Sequence, residues 1–341
     1  MAGCPEIDPA RPVQFVINAA AGSADAESRR GVIEAALQAA GRHGDLRFSR
    51  PEDLAGVAQD AAAAAGATRT AVVAVGGDGT INTVAQAAHA VGCAMGVVPQ
   101  GTFNYFARTH GLPPDPAEAT RLVLNSVPVP VQVAAVNDRV FLVNASLGLY
   151  PDLLEDREAF KARFGRSRWV ALWSAAVTLL RAQRRLRLRI LQGASAREVR
   201  TLTLFVGNNR LQLEQLGVHP PVPPEGGPLR TPGDGCITAV MLRPIGTLSM
   251  MRLMLHGAMG TLGEAQSVER FEFKRLVVEP TLVSGRRGVK VAFDGEVTRM
   301  RAPLDFRVLE KPLYLLKPRA AGDAGDAGDA DDTQGTGGAG A

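Results

Sequence analysis

The sequence predicts two unlike halves, a parallel α/β domain followed by an antiparallel β-rich domain. Three observations predict this. As far as residue 99, short continuous apolar segments alternate with longer helical ones, which is the grammar of a parallel sheet covered by helices. Near Val127 that grammar gives way to segments that alternate with period two, as antiparallel strands with one face on a core do. Within the first half, an apolar strand runs straight into Gly76-Gly77-Asp78-Gly79-Thr80 and then into a helix, a strand–turn–helix junction.

The elements follow in order. "VQFVIN" (13–18) is a buried strand leading into the small-residue loop "NAAAGSAD". Residues 27–40 have helical spacing and end at Gly41. "DLRFS" (45–49) is a short strand, and "PEDLAGVAQDAAAAAG" is a helix with Pro51 near its start and Gly66 at its end. "TAVVAV" (70–75) is a continuous apolar strand. The helix after it carries Ile81, Val84, Ala85, Ala88 and Val91 on one face, and "AMGVVP" (94–99) is the next strand. "VPVPVQVAAVNDRVFLVNASLG" (127–148) reads as two strands around an Asn-Asp turn. "RLRLRIL", "REVRTLTLFVG", "CITAVMLRP", "VERFEFKRLVVE" and "GVKVAFDGEV" complete the β-rich half. Helical segments at 153–184 and 247–259 interrupt it, as does a Pro/Gly-rich loop at 217–235. The low-complexity acidic tail from Ala320 is expected to be disordered.

Composition narrows the function classes. The chain has 341 residues, room for two domains, and 46% of them are hydrophobic. Net charge is +4, yet the tail holds five aspartates and no base, which leaves the rest at +9. A basic body suits anionic partners, although many soluble proteins are as basic without a specific reason. The three cysteines, Cys4, Cys93 and Cys236, have no paired spacing, so a disulfide framework or a zinc site is not expected. The N-terminus "MAGCPEIDPARPVQ" lacks the apolar stretch of a secretory signal. The longest apolar run, 169–180, is too short to span a bilayer. A cytoplasmic protein without a transmembrane segment is expected, with peripheral attachment to a membrane as the further option.

Three glycines in four positions are costly in regular structure and useful at a turn that something approaches closely. After a strand and before a helix, they let backbone N–H groups face an anion, and the helix N-terminus adds partial positive charge. Thr80 can cap the helix or touch a phosphate. Asp78 does not itself favour a phosphate; beside one, an acid most naturally holds Mg²⁺, directly or through water. The plain alternative is a tight turn with a helix cap. The chain has no GxxxxGK[ST] and no GxGxxG, so P-loop and dinucleotide-binding readings lose support. A second cluster, "PQGTFNYFAR" (99–108), puts Gly101, Thr102 and Asn104 at the end of the neighbouring strand. With "INAAAG" at the end of the first strand, three loops converge where open α/β sheets bind ligands.

"GGDGTIN", then "PQGTFNYFAR", then a β-rich half with "FDGE" resembles the diacylglycerol kinase catalytic family, and within it the bacterial soluble lipid kinases. The resemblance covers roughly residues 13–317. It implies an α/β N-terminal nucleotide-binding domain with a parallel sheet, plus a C-terminal antiparallel β-sandwich domain, with the active site between them. The division is 13–130 for the ATP domain, 131–318 for the lipid domain and 319–341 for the tail. ATP and Mg²⁺ are the implied cofactors. By position, the loop Asn18 to Gly22 matches the family's first nucleotide loop, with Ala19 and Ala21 in place of its Pro and Ser. Ser49 matches a nucleotide-contacting position. Gly76, Gly77, Asp78, Gly79, Thr80, Ile81 and Asn82 match the phosphate loop, and Thr102 and Asn104 match further contacts. Asp294 and Glu296 match the catalytic acids, Glu296 being the proton acceptor. Asp234 matches a structural Mg²⁺ site completed by the carbonyls of Thr231 and Cys236, and Asp78 stands near the catalytic Mg²⁺. Tyr105 replaces an acid of the family motif, which thins any water–Mg²⁺ network with Asp78.

The function expected is therefore ATP-dependent transfer to a lipid hydroxyl such as that of diacylglycerol. The alternatives are an NAD-kinase-like enzyme with a soluble substrate and a catalytically inactive nucleotide- or lipid-binding protein. The partners expected are a lipid substrate and an anionic membrane surface, with no nucleic acid; the oligomeric state is open. In "RRLRLRI", Arg185, Arg187 and Arg189 alternate with apolar residues. That pattern reads either as docking to anionic lipid or as protection of an edge strand.

Overall fold

The computed structural model describes residues 4–20, 26–148, 186–193, 195–209, 213–214, 235–244, 268–281 and 288–319. The segments expected at 153–184 (helical), 247–259 (helical), 217–234 (loop) and 320–341 (tail) lie outside them.

β1 (Val13–Asn18), α1 (Ala26–Ala39), β2 (Gly44–Ser49), α2 (Leu54–Thr68), β3 (Ala71–Gly76), α3 (Asp78–Val91) and β4 (Ala94–Pro99) alternate as predicted. The strands run parallel in the order β2-β1-β3-β4. β3 and β4 are buried at every residue because helices cover both faces of the sheet. On one face, Val72, Ala74, Met95 and Val97 pack with α2 and α3 residues such as Ala61, Ile81 and Val84. On the other, Phe15, Ile17, Val73 and Val75 pack with Ile33 and Leu37 of α1. α2 does not end at Gly66; it runs on to Thr68 and stops at Arg69, which adopts φ 52°. Gly66 serves packing instead, since a Cβ there would lie 2.5 Å from Val91 Cγ1. Two helices escaped the pattern reading, α4 (Tyr105–Thr109) and α5 (Pro116–Leu124). The start of α5 is nevertheless written in the sequence: Asp115 accepts a hydrogen bond from the Glu118 N–H, and Pro116 opens the first turn.

The chain then enters β5 (Val127–Val131), β6 (Ala134–Val136), β7 (Arg139–Phe141) and β8 (Asn144–Gly148). Residues 127–148 are therefore four strands where two were expected, and they serve three sheets. The later strands are β9 (Leu186–Gln192), β10 (Ser195–Thr201), β11 (Thr203–Gly207), β12 (Ile237–Leu242), β13 (Val268–Phe273), β14 (Arg275–Pro280), β15 (Val289–Phe293), β16 (Glu296–Met300), β17 (Leu304–Val308) and β18 (Leu313–Lys317). Two antiparallel sheets result, β10-β9-β14-β17-β6-β7 and β13-β12-β11-β8-β15-β16. Their facing sides enclose one core that includes Val136, Phe141, Leu147, Leu188, Ile190, Leu204, Ile237, Leu276 and Phe306. "REVRTLTLFVG" and "VERFEFKRLVVE" each cross from one sheet to the other at a single residue, Leu202 and Lys274.

β18 returns to the first sheet, parallel to β4 and antiparallel to β5, and gives it the order β2-β1-β3-β4-β18-β5. The alternation in β9 holds: Arg187 and Arg189 are exposed, Leu188 and Ile190 buried. β9 is flanked by β10 and β14, however, so edge protection does not account for its arginines. Arg189 has acids of its own nearby, since Glu198 and Glu279 lie opposite it and Glu279 is 3.6 Å away, whereas Arg187 lies opposite Arg200 and Arg185 is outside the described residues.

Candidate active site

The strand–turn–helix junction is tighter than its sequence suggests. Gly77 is the N-cap of α3, and the helix begins at Asp78 itself. The N–H groups of a first helical turn have no acceptor within the helix, which makes this turn an anion-facing end. A Cβ on Gly76 would fall 2.5 Å from Thr80 Oγ1. Gly77 and Gly101 meet back to back: a Cβ on Gly101 would lie 2.8 Å from Gly77 Cα and 2.7 Å from Asn104 Oδ1. The Gln100 N–H donates to the Gly76 carbonyl at 2.7 Å, which ties the second loop to the first.

Asp78 joins the same two loops by its side chain. Oδ2 accepts from the Asn104 N–H at 3.0 Å, and the backbone N–H groups of Tyr105 and Phe106 also favour its charged form. Asp78 thus caps the short α4 from across the crevice. Burial outweighs these contacts and raises its carboxyl above the ordinary aspartate value. Its Oδ1 is buried and accepts no hydrogen bond from the described residues. Asn104 adopts φ 47° and spends its side chain on both backbone groups of Gly101. Tyr105, half-buried, stacks with the exposed Phe103, their ring centroids 5.7 Å apart.

The first loop is fastened as well. Asn18 Nδ2 donates to Thr80 Oγ1 at 3.0 Å, the Ala20 N–H donates to Asn18 Oδ1, and the Ala19 N–H donates to the Ser49 carbonyl. The Ser49 hydroxyl is buried and donates to the Arg50 carbonyl.

Two acids arrive from the β-rich half. β15 and β16 are joined by Asp294-Gly295, whose φ values of 45° and 90° fit a two-residue hairpin turn that needs both positive. Asp294 is 7% exposed, and both its oxygens are taken. Oδ1 accepts from the N–H groups of Val143 and Asn144; Oδ2 accepts from the Leu142 N–H and from Asn82 Nδ2 at 2.6 Å. Burial pushes its carboxyl up to about 6, against these donors, which pull it down. Asn82 is on α3, so Asp294 is a joint that fixes the β-rich half against the helix of the phosphate loop. Glu296, two residues on, is exposed, and its Oε1 would lie 3.3 Å from a Cβ on Gly79. Partial desolvation raises its carboxyl above 4.5, while the Arg139 guanidinium nearby pulls it down.

Asn18, Gly76, Gly77, Asp78, Gly79, Thr80 and Glu296 therefore gather around one crevice, with Thr102 exposed on its second loop. Ile81 turns into the core beneath it, and Asn82, Asn104, Ser49 and Asp294 spend side-chain hydrogen bonds on protein partners. Gly22, Thr231 and Asp234 lie outside the described residues. Cys236 is buried, and its carbonyl accepts from Gln132 Nε2 at 2.9 Å. Among the described residues, no three acids, histidines or cysteines gather as a metal centre. Pattern reading missed Arg29 and Arg139. For Arg29 a signal exists, a charge on the apolar stripe of α1 with Ile33, Ala36 and Leu37. For Arg139 there is none, because the β7 hairpin is brought to Glu296 by tertiary packing.

The family model described as diacylglycerol kinase catalytic domain matches residues 12–136. A "Probable lipid kinase YegS-like" of Klebsiella pneumoniae is 41% identical over 98 residues, which are 28% of this chain and 33% of that protein. One of Pseudomonas aeruginosa is 39% identical over 117 residues, 33% of this chain and 37% of that protein. The chain thus spans about a third of the length of the curated relatives it matches. A solved diacylglycerol kinase structure from Bacillus anthracis superposes with a TM-score of 0.65 at 20% identity, over 90% of this chain and 96% of that one. The family model covers the two glycine-loop motifs of the first half and stops before FDGE, whereas the likeness of fold extends over 90% of the chain. No helix among the described residues is long and apolar enough to cross a membrane.

Proposed function

We propose that this protein is a lipid kinase, transferring the γ-phosphate of ATP to a lipid hydroxyl such as that of diacylglycerol. The observation that carries the reading is Glu296 Oε1 standing against Gly79, an acid from the β-rich half facing the first turn of α3. Phosphoryl transfer to an alcohol needs a positioned base and positive potential over the phosphates, and these two elements supply one each. The N-terminus of α3 and the two apposed glycine loops bind and orient the phosphates. Glu296 takes the proton from the attacking hydroxyl. Asp294 holds the distance between base and phosphate loop through Asn82. The relatives named as lipid kinases support a lipid acceptor over the soluble substrate of an NAD-kinase-like enzyme.

Mg²⁺ fits the donor set. Asp78 Oδ1 is a buried carboxylate oxygen with spare lone pairs beside the phosphate loop, and Mg²⁺ commonly uses one or two carboxylates together with substrate phosphates and water. When bound, the ion would neutralise charge developing on the transferred group. The working division follows hydrogen bonding: 13–130 with the returning strand 313–317 for the nucleotide, the rest of 131–318 for the lipid. The lipid substrate sits in a membrane, and exposed Arg187 and Arg189, with Arg200 opposite Arg187, are offered as the basic face by which a cytoplasmic enzyme docks to anionic lipid. Salt-sensitive binding to anionic but not neutral vesicles tests that face.

The central experiment incubates the protein with γ-labelled ATP, Mg²⁺ and a total lipid extract. Label is expected in one chloroform-soluble product, dependent on the metal and lost in Asp78→Ala. Label confined to water-soluble products, or undiminished transfer by Asp78→Ala, overturns the reading.

A further inference from the structure

We propose that Arg29 is the positioning residue of the first nucleotide loop, a clamp that holds Asn18 and Ala19 in the geometry that receives ATP. The inference rests on the reading of this crevice as a nucleotide site.

Arg29 lies on the buried stripe of α1 and is 5% exposed. A guanidinium so deep in a protein is expensive unless its donors are satisfied. Nη1 donates to the Asn18 carbonyl at 2.6 Å and Nη2 to the Ala19 carbonyl at 3.0 Å. A planar fork gripping two consecutive carbonyls fixes the two peptide planes that meet at the Ala19 Cα relative to each other, which a point-charge ammonium does less well.

The Ser49 carbonyl and Asn18 Oδ1 take the N–H groups of Ala19 and Ala20, and Arg29 takes the carbonyl side of the loop. Ala19, Ala20 and Ala21 have no side chain able to anchor it. The clamp is also connected to the chemistry. Asn18, whose carbonyl Arg29 grips, donates through Nδ2 to Thr80 Oγ1, and Thr80 packs against Gly76 in the phosphate loop. Arg29, Asn18 and Thr80 form one chain of contacts from the core of α1 to the turn that faces the phosphates.

A purely structural strut between α1 and β1 would affect global stability and leave the response to nucleotide alone; a clamp on the loop would separate the two. The test uses the full chain with Arg29→Met and Arg29→Lys, and reads amide hydrogen exchange, ATP affinity by a fluorescent analogue, and steady-state kinetics. In Arg29→Met, exchange at residues 18–20 is expected to speed up about tenfold or more while β3 and β12 keep their protection. The Kd for the analogue and the KM for ATP are expected to rise about tenfold, with kcat and the KM for lipid within about twofold of wild type. Arg29→Lys should fall between. Unchanged exchange at 18–20, exchange rising equally throughout the first half, or a fall in kcat at unchanged KM for ATP would each overturn the proposal. Should Arg29→Met fail to fold, Arg29→Lys decides on the same readouts. Absence of lipid phosphorylation by the wild type defeats the kinase reading, and the exchange and analogue-binding arms still decide the clamp.

Discussion

Asp294 and Glu296 are two residues apart, and their surroundings give them different tasks. Four N–H donors surround Asp294, so an asparagine there would set its own NH₂ against backbone N–H groups. Each lost hydrogen bond at a buried site is worth about 1–3 kcal/mol. Asp294→Asn is therefore expected to lower the melting temperature as well as activity; an unchanged melting temperature would remove Asp294 as the joint. Glu296 is exposed and needed ionised, so Glu296→Gln is expected to leave stability and the KM for ATP alone and to lower kcat by about 10² or more. Its raised carboxyl predicts an acid limb in the kcat/KM profile with a midpoint above that of an ordinary glutamate, absent in the variant. A profile whose limb survives the substitution assigns the base elsewhere. Of this pair the sequence exposes the turn, because Asp-Gly with both φ positive is a local requirement. The joint stays hidden, since its partners Asn82 and Leu142 to Asn144 are 212 and about 150 residues away in sequence.

At the scale of elements, what could be read was whatever the local pattern decides. The β3 run and the glycines after it are dictated by burial on both faces and by the backbone approach of Gly77 to Gly101. The sheet switches at 132–133, 142–143, 202 and 274 were not legible, because nothing in the local sequence marks where the partner strand changes. α4 was missed for another reason: its five residues are too few for a helical stripe, and its cap, Asp78, comes from another loop. That helix ends at His110, whose ring stands edge-on to Phe106 at 4.6 Å. Burial lowers His110 from 6.5 to about 4, so the unfolded chain takes up the proton first as pH falls. Stability is therefore expected to be whole above about pH 6.5 and to drain as pH falls towards about 4. His110→Phe should flatten the melting temperature across that window. A slope equal to wild type would place the acid sensitivity on other groups.

At the scale of the molecule, the first sheet is not closed until the chain is almost complete. Without β18, β4 and β5 have no link, because β18 hydrogen-bonds to both. Its Leu313 and Leu315 belong to the same core cluster as Ile81 and Val84 of α3, the helix whose first turn forms the phosphate site. Leu316 faces the opposite side, with Phe15 and Val73. Removing three fully buried leucines forfeits about 1.5–3 kcal/mol each, which together is comparable to the net stability of a domain. The sequence alone concealed this return, since "LYLLK" carries no mark of which sheet it joins. Two truncations separate the consequences. Ending the chain at Arg319 removes a tail of small and acidic residues and is expected to leave the melting temperature and ATP binding unchanged. Ending it at Pro312 should abolish ATP binding and cooperative melting of the nucleotide half, although every glycine-loop residue is still present. Retained ATP binding in the shorter chain would show that residues 13–130 hold the site without their last strand.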